Sequence, residues 1–199
     1  MPYRKHLSKD KALKLLVKKN GTHALTIQKN ILLAICRSVI GQQLSTTVAR
    51  VIYNRFLDLF KNRNPKAKDI LAIPNDVLRG IGLSNAKVAY IKNACEFFIG
   101  NKLTDAKLHK MSDEELFELL TQIKGIGRWT VEMILMFAMG REDVFSAGDL
   151  GIQKAMISLY QIEYNSNKEL AQKMLYISQN WSPYRSFACW YLWRHLDEK

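Results

Sequence analysis

Residues 120–131 contain a glycine pattern that could bind a phosphate group. Gly125 and Gly127 are separated by one residue and stand directly before a segment with helical periodicity. A Gly-x-Gly turn at the start of a helix leaves successive N–H groups exposed, with the positive end of the helix dipole behind them. A dinucleotide fingerprint would need a preceding strand and a third glycine, and a P-loop would need Gly-Lys-Ser/Thr. The pattern therefore predicts a phosphate-binding hairpin of another kind.

Asp149 follows this hairpin, in the segment 143–154. Taken alone, its simplest role is to cap the N-terminus of a helix over residues 150–160. Its combination with the hairpin favours a further role besides capping.

The segment 181–193 is rich in aromatic residues. Six of its thirteen residues are aromatic: Trp181, Tyr184, Phe187, Trp190, Tyr191 and Trp193. Aromatic side chains on a helix usually fill a hydrophobic core. They could also line a pocket for a cationic ring, which an indole face attracts by roughly 0.5–2 kcal/mol. Both interpretations remain open.

The chain of 199 residues is strongly basic, with 30 Lys and Arg against 18 Asp and Glu and a net charge of +12. Residues 1–30 hold eight basic residues and one acid, and residues 61–110 hold ten and four. Such runs usually form a solvated surface. Two separated runs on so positive a chain favour a surface that follows phosphates, with nucleic acid as the first candidate partner.

The composition excludes several classes of protein. The longest apolar runs, 31–36 and 133–139, are far shorter than the roughly 18–20 residues that cross a bilayer, and the N-terminus lacks a signal-peptide pattern. The three cysteines and four histidines show no ligand spacing, which argues against disulfide, zinc and iron–sulfur frameworks. We expect an intracellular protein of the nucleoid and cytoplasm or of the nucleus.

Nearly every periodic segment is typical of an α-helix, and an all-α fold is predicted. Residues 45–60 place apolar side chains, Val48 among them, at helical spacing. Ser112-x-x-Glu115 and Ser166-x-x-Glu169 predict capping boxes. Ser182-Pro183 predicts a serine cap with proline in the first helical turn.

Two further turns carry polar residues or glycine. The Gln-Gln-Leu-Ser segment at 42–45 lies between two apolar segments and predicts an interhelical turn that presents its side chains outward, although Gln42 or Ser45 could instead cap a helix. The Gly-Ile-Gly segment at 80–82 repeats the pattern of the hairpin and precedes Lys87. It could be a second DNA-binding turn or simply a connection that needs glycine.

With its hairpin at 123–130 followed by Asp149, the sequence resembles the helix-hairpin-helix DNA glycosylase superfamily. Four segments resemble its alkylated-base branch, the 3-methyladenine glycosylase II enzymes: Ile40–Ser45, Gly80–Lys87, Gly127–Thr130 and Trp181–Ala188. All of them occur in the family's order, from about residue 30 onward.

The resemblance implies an enzyme of base excision repair that hydrolyses the N-glycosidic bond of alkylated purines, of the 3-methyladenine and 7-methylguanine type, in duplex DNA. Relatives that also cut the DNA backbone carry a Schiff-base lysine where this chain has Trp129, and an indole cannot form an imine. We therefore expect base removal without lyase activity. The alternatives are a deaminated or otherwise damaged base as substrate, and a non-catalytic DNA-binding module.

The resemblance also implies roles for individual residues. Asp149 would stabilise the oxocarbenium-like sugar or activate the attacking water, and Trp129, Trp193 and Met133 would form the base pocket. Gln43 is the first choice for the wedge that fills the gap left by the flipped base, before Gln42 and Leu44. The full set of expected DNA-binding residues is Gln42, Gln43, Leu44, Ser45, Gly82, Lys87, Lys124, Gly125, Gly127, Arg128 and Thr130.

No cofactor is implied, but the family's hairpin can hold a structural Na⁺ or K⁺ ion. The matching backbone carbonyls belong to Thr121, Ile123 and Ile126. Lys124 stands where the hairpin often has proline, and it should add a phosphate-seeking charge without blocking the turn.

The implied architecture is a single catalytic unit over 1–199, built of two helical lobes with the active cleft between them. Residues 31–124 would form one lobe. Residues 1–30 and 125–199 would form the other, with the hairpin at 121–131. The expected partner is damaged duplex DNA, bound by a monomer without a membrane.

Overall fold

The computed structural model describes residues 1–197. Its helices, in chain order, are α1 (Pro2–Leu7), α2 (Lys11–Asn20), α3 (Ile31–Gly41), α4 (Thr46–Asp58), α5 (Ala67–Ala72), α6 (Asn75–Gly80), α7 (Asn85–Gly100), α8 (Asp105–Lys110), α9 (Asp113–Leu120), α10 (Arg128–Phe137), α11 (Leu150–Tyr160), α12 (Asn167–Ser178), a 3₁₀ turn (Gln179–Trp181) and α13 (Arg185–Asp197). These residues contain no strand, so the predicted all-α class is confirmed. Within the same range, no helix combines the length and the hydropathy needed to span a membrane.

The chain divides into two compact units. Unit 1 comprises Met1–Thr26 and Gly140–Lys199, and unit 2 comprises Ile27–Met139. The sequence predicted a boundary at residue 124, whereas unit 2 continues to Met139 because α10 packs against α3 and α9. The whole hairpin at 121–131 therefore belongs to unit 2.

Helix α3 is central to unit 2. Its side chains at Ile31, Ile35, Val39 and Ile40 are fully buried, and the helix packs against α4, α7 and α10. A helix that is apolar around most of its circumference must be covered on several sides. The end of α3 is consequently fixed in place, and this end carries the Gln-Gln-Leu-Ser turn.

Helix α13 packs against α2 and α11 in unit 1.

Asp10 connects α2, α11 and the 3₁₀ turn of this unit through both of its carboxylate oxygens. Its Oδ1 accepts from the Ala12 and Leu13 amides at the start of α2, at 2.9 and 3.0 Å. Its Oδ2 accepts from the Tyr160 hydroxyl at 2.9 Å and from the indole N–H of Trp181 at 3.0 Å. Burial and the neighbouring Asp10 raise the pKa of Tyr160 far above its ordinary value, so the phenol stays a hydrogen-bond donor.

One of the two predicted capping boxes is confirmed. The Ser112 hydroxyl accepts from the Glu115 amide at 3.2 Å, and the Glu115 carboxylate accepts from the Ser112 amide at 2.7 Å. The prediction of a second reciprocal box is wrong. Ser166 does accept from the amide of Glu169, but the Glu169 carboxylate accepts from the Asn165 amide and pairs with Lys173.

The predicted serine cap at Ser182 is also wrong. Helix α13 begins at Arg185, and the Ser182 hydroxyl donates to the Asp143 carboxylate at 2.8 Å. Ser182 precedes this start by three residues and therefore does not occupy the N-cap position. Val48, predicted on the buried face of α4, is 45% exposed because it lies in the first turn of that helix, beside the exposed 43–46 segment.

Replacing Asp10 with alanine should lower the free energy of unfolding by about 3 kcal/mol, because it removes an N-cap and leaves the half-buried Tyr160 hydroxyl and the buried Trp181 indole without their acceptor. Urea unfolding followed by circular dichroism measures the change. Asp76→Ala, which removes an exposed acid from the first turn of α6, is the matched control and should change stability by less than about 0.5 kcal/mol. Equal stability of the two variants would contradict the assigned role of Asp10.

Candidate active site

Asp149 is the N-cap of α11 and is held by two hydrogen bonds. Its Oδ1 accepts from the backbone N–H of Ile152 at 2.9 Å and from the indole Nε1–H of Trp193 at 2.9 Å. The side chain is half-buried. The predicted capping role is therefore present, and the bond from Trp193 is an additional constraint on the direction of the carboxylate. A negative charge at this position is stabilised by the helix dipole.

Gly151 makes the approach of Trp193 to the start of α11 sterically feasible. A Cβ at this position would lie 3.0 Å from Asp149 Oδ1 and 3.1 Å from Trp193 Cδ1, which is tighter than ordinary van der Waals contact. Sequence reasoning missed this residue. Its only signal was a glycine in the first turn of a predicted helix, where other residues stabilise the helix better.

The loop before Asp149 is anchored to the start of α13. The Arg185 guanidinium donates to both carboxylate oxygens of Asp143, at 2.8 and 3.0 Å. Burial alone would raise the pKa of Asp143, but the bonds from Arg185 and Ser182 outweigh it and hold the pKa below its usual range. Ser186 adds two bonds, donating to the Arg141 carbonyl and accepting from the amide of Val144. One helix thus fixes both this loop and the indole that contacts Asp149.

Gly125 in the hairpin has no acceptable substitute. Its φ is +98°, in the region that favours glycine. A Cβ at this position would also fall within the ring of Tyr90, which packs directly on the glycine. Gly127 differs, because its φ is −94° and a Cβ would meet open space. It is the N-cap of α10, and no side chain caps that helix.

The other hairpin residues expected to bind DNA lie in different environments. Lys124 is exposed, and its carbonyl accepts from the Asn93 amide at 3.3 Å. The Arg128 side chain is 75% exposed, pairs with Glu132 at 3.0 Å and lies 4.5 Å from the ring centroid of Phe117. Thr130, by contrast, is buried, and its hydroxyl accepts a hydrogen bond from the Gln42 side chain.

The turn at 42–45 presents Gln43 and Leu44 to solvent. Gln43 is exposed and has a φ of +59°, an uncommon conformation for a residue with a side chain. Leu44 is 37% exposed. Ser45 caps α4 by accepting from the Val48 amide at 3.4 Å. The capping interpretation therefore holds for Ser45, while Gln43 is exposed and left-handed.

Gln42 points toward the hairpin. Its Nε2 donates to the Gly125 carbonyl and to the Thr130 hydroxyl, both at 3.3 Å. Its side chain is half-buried. These two bonds join the turn to the hairpin within unit 2.

Lys87 does not extend into solvent. Its Nζ donates to the carbonyls of Ile40 at 2.9 Å and Gln42 at 2.8 Å, and burial lowers the pKa of its ammonium. Gly82, just before α7, has a φ of +106° and packs against Ile52 of α4. The second glycine turn therefore connects α6 and α7 with Gly82 itself exposed, and Lys87 contacts backbone carbonyls.

The expected pocket residues are half-buried, in two helices. Trp129 and Met133 lie one turn apart on α10 in unit 2, and Trp193 lies on α13 in unit 1. Among the neighbouring aromatics of unit 1, Phe187 is buried, and Tyr184 and Trp190 are half-buried. Trp181 and Tyr191 are fully buried.

The carbonyls of Thr121, Ile123 and Ile126 offer only oxygen ligands, which suit an alkali-metal ion. The Ile123 carbonyl already accepts from the Ile126 amide at 2.9 Å, and a carbonyl oxygen has a second lone pair. Among residues 1–197, no group of three or more His, Cys, Asp or Glu side chains could hold a metal ion.

A surface groove in unit 1 lies beside α11 and α12, lined by Tyr160, Gln161, Lys173 and Tyr176 among others. None of the predicted site residues lines it. The groove is therefore separate from the candidate active site.

Residues 36–179 match the HhH-GPD superfamily of base excision DNA repair proteins. The chain belongs to this superfamily. Its relatives place it in the alkylated-base branch that the motifs indicated. DNA-3-methyladenine glycosylase 1 of Schizosaccharomyces pombe is 38% identical over 160 residues, which cover 79% of this chain and 69% of that protein.

Two further comparisons agree. A putative DNA-3-methyladenine glycosylase of Bacillus subtilis, YfjP, is 30% identical over 198 residues, covering 96% of this chain and 68% of that protein. The solved structure of the S. pombe 3-methyladenine DNA glycosylase Mag1, in complex with abasic DNA, superimposes with a TM-score of 0.88 at 34% identity, covering 98% of this chain and 96% of that chain.

Gly125→Ala should lower the free energy of unfolding by about 3 kcal/mol, because the new Cβ meets both an unfavourable φ and the ring of Tyr90. Gly127→Ala is the matched control two residues away, with ordinary φ and open space, and should cost less than about 1 kcal/mol. Chemical unfolding of both variants measures the difference. A stable Gly125→Ala protein would contradict the close packing on Tyr90.

Proposed function

We propose that this chain is a monofunctional DNA glycosylase that excises alkylated purines, of the 3-methyladenine and 7-methylguanine type, from duplex DNA. The observation that carries the proposal is the Asp149 carboxylate, held at the start of α11 by Ile152 and Trp193, in a chain of a base excision repair family. The relatives named as 3-methyladenine glycosylases support the substrate class.

In the proposed reaction, the N-glycosidic bond breaks through a sugar with oxocarbenium character. A preorganised carboxylate stabilises the positive charge that develops at the anomeric carbon, and it can also orient or deprotonate the attacking water. The bonds to the Ile152 amide and the Trp193 indole fix the carboxylate before substrate arrives, so no reorganisation is needed at the moment of reaction. Both roles of Asp149 are compatible with this arrangement.

The leaving group defines the rest of the site. A purine alkylated at N3 or N7 is already cationic and leaves readily, so the enzyme needs no strong general acid. An electron-rich aromatic surface attracts such a ring. We assign this role to the half-buried indoles of Trp129 and Trp193, and to Met133, which lies one helical turn from Trp129.

The DNA backbone would be bound by the hairpin and the basic surface. The uncapped start of α10 at Gly127, with Lys124 and Arg128 exposed beside it, presents amides and positive charge suited to a phosphate. A Na⁺ or K⁺ ion on the carbonyls of Thr121, Ile123 and Ile126 would stiffen this hairpin. We further propose that the protein acts as a monomer, with Gln43 as the wedge.

Asp149→Asn should lower the release of 3-methyladenine from methylated duplex DNA by about 100-fold or more, because the negative charge beside the sugar is lost. Asparagine can still cap α11 and accept from Trp193, so folding and DNA binding should persist. Single-turnover release, followed by chromatography of the free bases, measures the effect.

Asp76→Asn makes the same chemical change at an exposed acid of α6 and should release bases at the wild-type rate. Undiminished release by Asp149→Asn would show that this carboxylate is not catalytic. A wild-type protein that binds the duplex and releases no base would instead favour a non-catalytic binding module. Release of deaminated bases alone would show that these, and not alkylated purines, are the substrates.

Borohydride reduction during the reaction should trap no covalent complex between protein and DNA, because an indole at position 129 cannot form the imine that reduction captures. Denaturing gel electrophoresis of the borohydride-treated mixture gives the readout. Trp129→Lys, tested in parallel, asks whether restoring an amine at this position is sufficient for trapping. A trapped adduct of the wild-type protein would contradict base removal without lyase activity.

A further inference from the structure

The carbonyl groups at the end of α3 have an unusual partner. Ile40 and Gln42 direct their carbonyl oxygens at one ammonium group, that of Lys87, at 2.9 and 2.8 Å. The last carbonyls of a helix lack partners within the helix and carry the negative end of its dipole. A cation at this point therefore stabilises both the helix end and the first residue of the following turn.

The conformation of the turn explains why such support is useful. Gln43 follows directly after Gln42 and adopts a φ of +59° while remaining exposed. A left-handed conformation at a residue with a side chain costs of order 1 kcal/mol or more, and persists only when its surroundings impose it. Lys87 fixes the carbonyl on one side of Gln43, and the Gln42 side chain fixes the same peptide segment to Gly125 and Thr130.

Lys87 is itself held rigidly. It lies in the first turn of α7, where its amide donates to the Ser84 hydroxyl at 3.3 Å. The glycine turn before α7 packs on Ile52 through Gly82. The Lys87 side chain is half-buried, and burial lowers the pKa of its ammonium. Its two bonds to carbonyl oxygens hold the ammonium in place, so it is not a freely moving surface charge.

We propose that Lys87 is a positioning residue that locks the 42–45 turn and thereby aims Gln43 into the DNA helix, an inference that rests on the function proposed above. A lysine that binds phosphate would leave its ammonium in solvent, whereas here two backbone carbonyls accept from it. Lys87 thus acts on base flipping through Gln43.

The first test compares Lys87→Met with Lys87→Arg. Methionine keeps the apolar stem and removes the ammonium, while arginine keeps the charge but cannot place a compact ammonium between two carbonyls. A positioning role predicts that both variants lose about tenfold in the rate of release from methylated duplex DNA, since unpairing the target base costs a few kcal/mol. Wild-type release by Lys87→Arg would indicate a phosphate contact and overturn the proposal.

The second test separates flipping from chemistry. The same methylated DNA, offered as denatured single strands, needs no wedge, so both variants should release bases from it at nearly the wild-type rate. Lys92→Met removes the same charge from the same helix and should keep the wild-type ratio of duplex to single-strand release. Equal loss on both substrates would overturn the positioning role.

A third measurement does not depend on catalysis. A duplex with 2-aminopurine beside a tetrahydrofuran abasic-site analogue should brighten on binding wild-type protein, as the neighbouring base unstacks. Lys87→Met should reduce this increase in fluorescence at saturating protein. Adding Gln43→Ala should reduce it no further, because both substitutions act on the same step, the insertion of Gln43 into the DNA helix. Additive losses, or an unchanged signal in Lys87→Met, would overturn the inference even if no base is released by any variant.

Discussion

Each α-helix leaves amide N–H groups at its start and carbonyl groups at its end without partners in the helix, and in each unit the candidate functional residues lie at such helix ends. At α11 the first amides are partly satisfied by Asp149, near the end of α3 the Ile40 carbonyl accepts from Lys87, and at α10 no side chain caps the start. The start of α11 thus carries a carboxylate, the end of α3 carries a turn held by Lys87, and the start of α10 has amides suited to an anion.

The position of Asp149 is compatible both with capping α11 and with the proposed catalytic role. The same oxygen that caps α11 also accepts from Trp193. Capping fixes the direction of the carboxylate, and a fixed direction is what electrostatic stabilisation of a developing cation requires. Helix stability and the proposed chemistry therefore depend on one arrangement, supported from α13 by the ion pair of Arg185 with Asp143.

The sequence could predict the features that depend on neighbours along the chain. Helical periodicity, the Ser112 capping box and the cap by Asp149 are of this kind, since each partner lies within four residues. It could not predict that Lys87 contacts Ile40 and Gln42, nor that Ser182 bonds Asp143, because those partners are distant in sequence and chosen by packing. The tight packing of Tyr90 on Gly125 was hidden for the same reason.

The bonds of Gln42 to Gly125 and Thr130 couple two segments that are far apart in sequence. They hold the 42–45 turn and the hairpin in a fixed relative position, so a substitution that displaces one of them also displaces the other. A change at position 42, 125 or 130 therefore acts on both the turn and the hairpin. The hairpin glycine, usually regarded as a local necessity, is in this protein also a constraint on a turn more than eighty residues earlier.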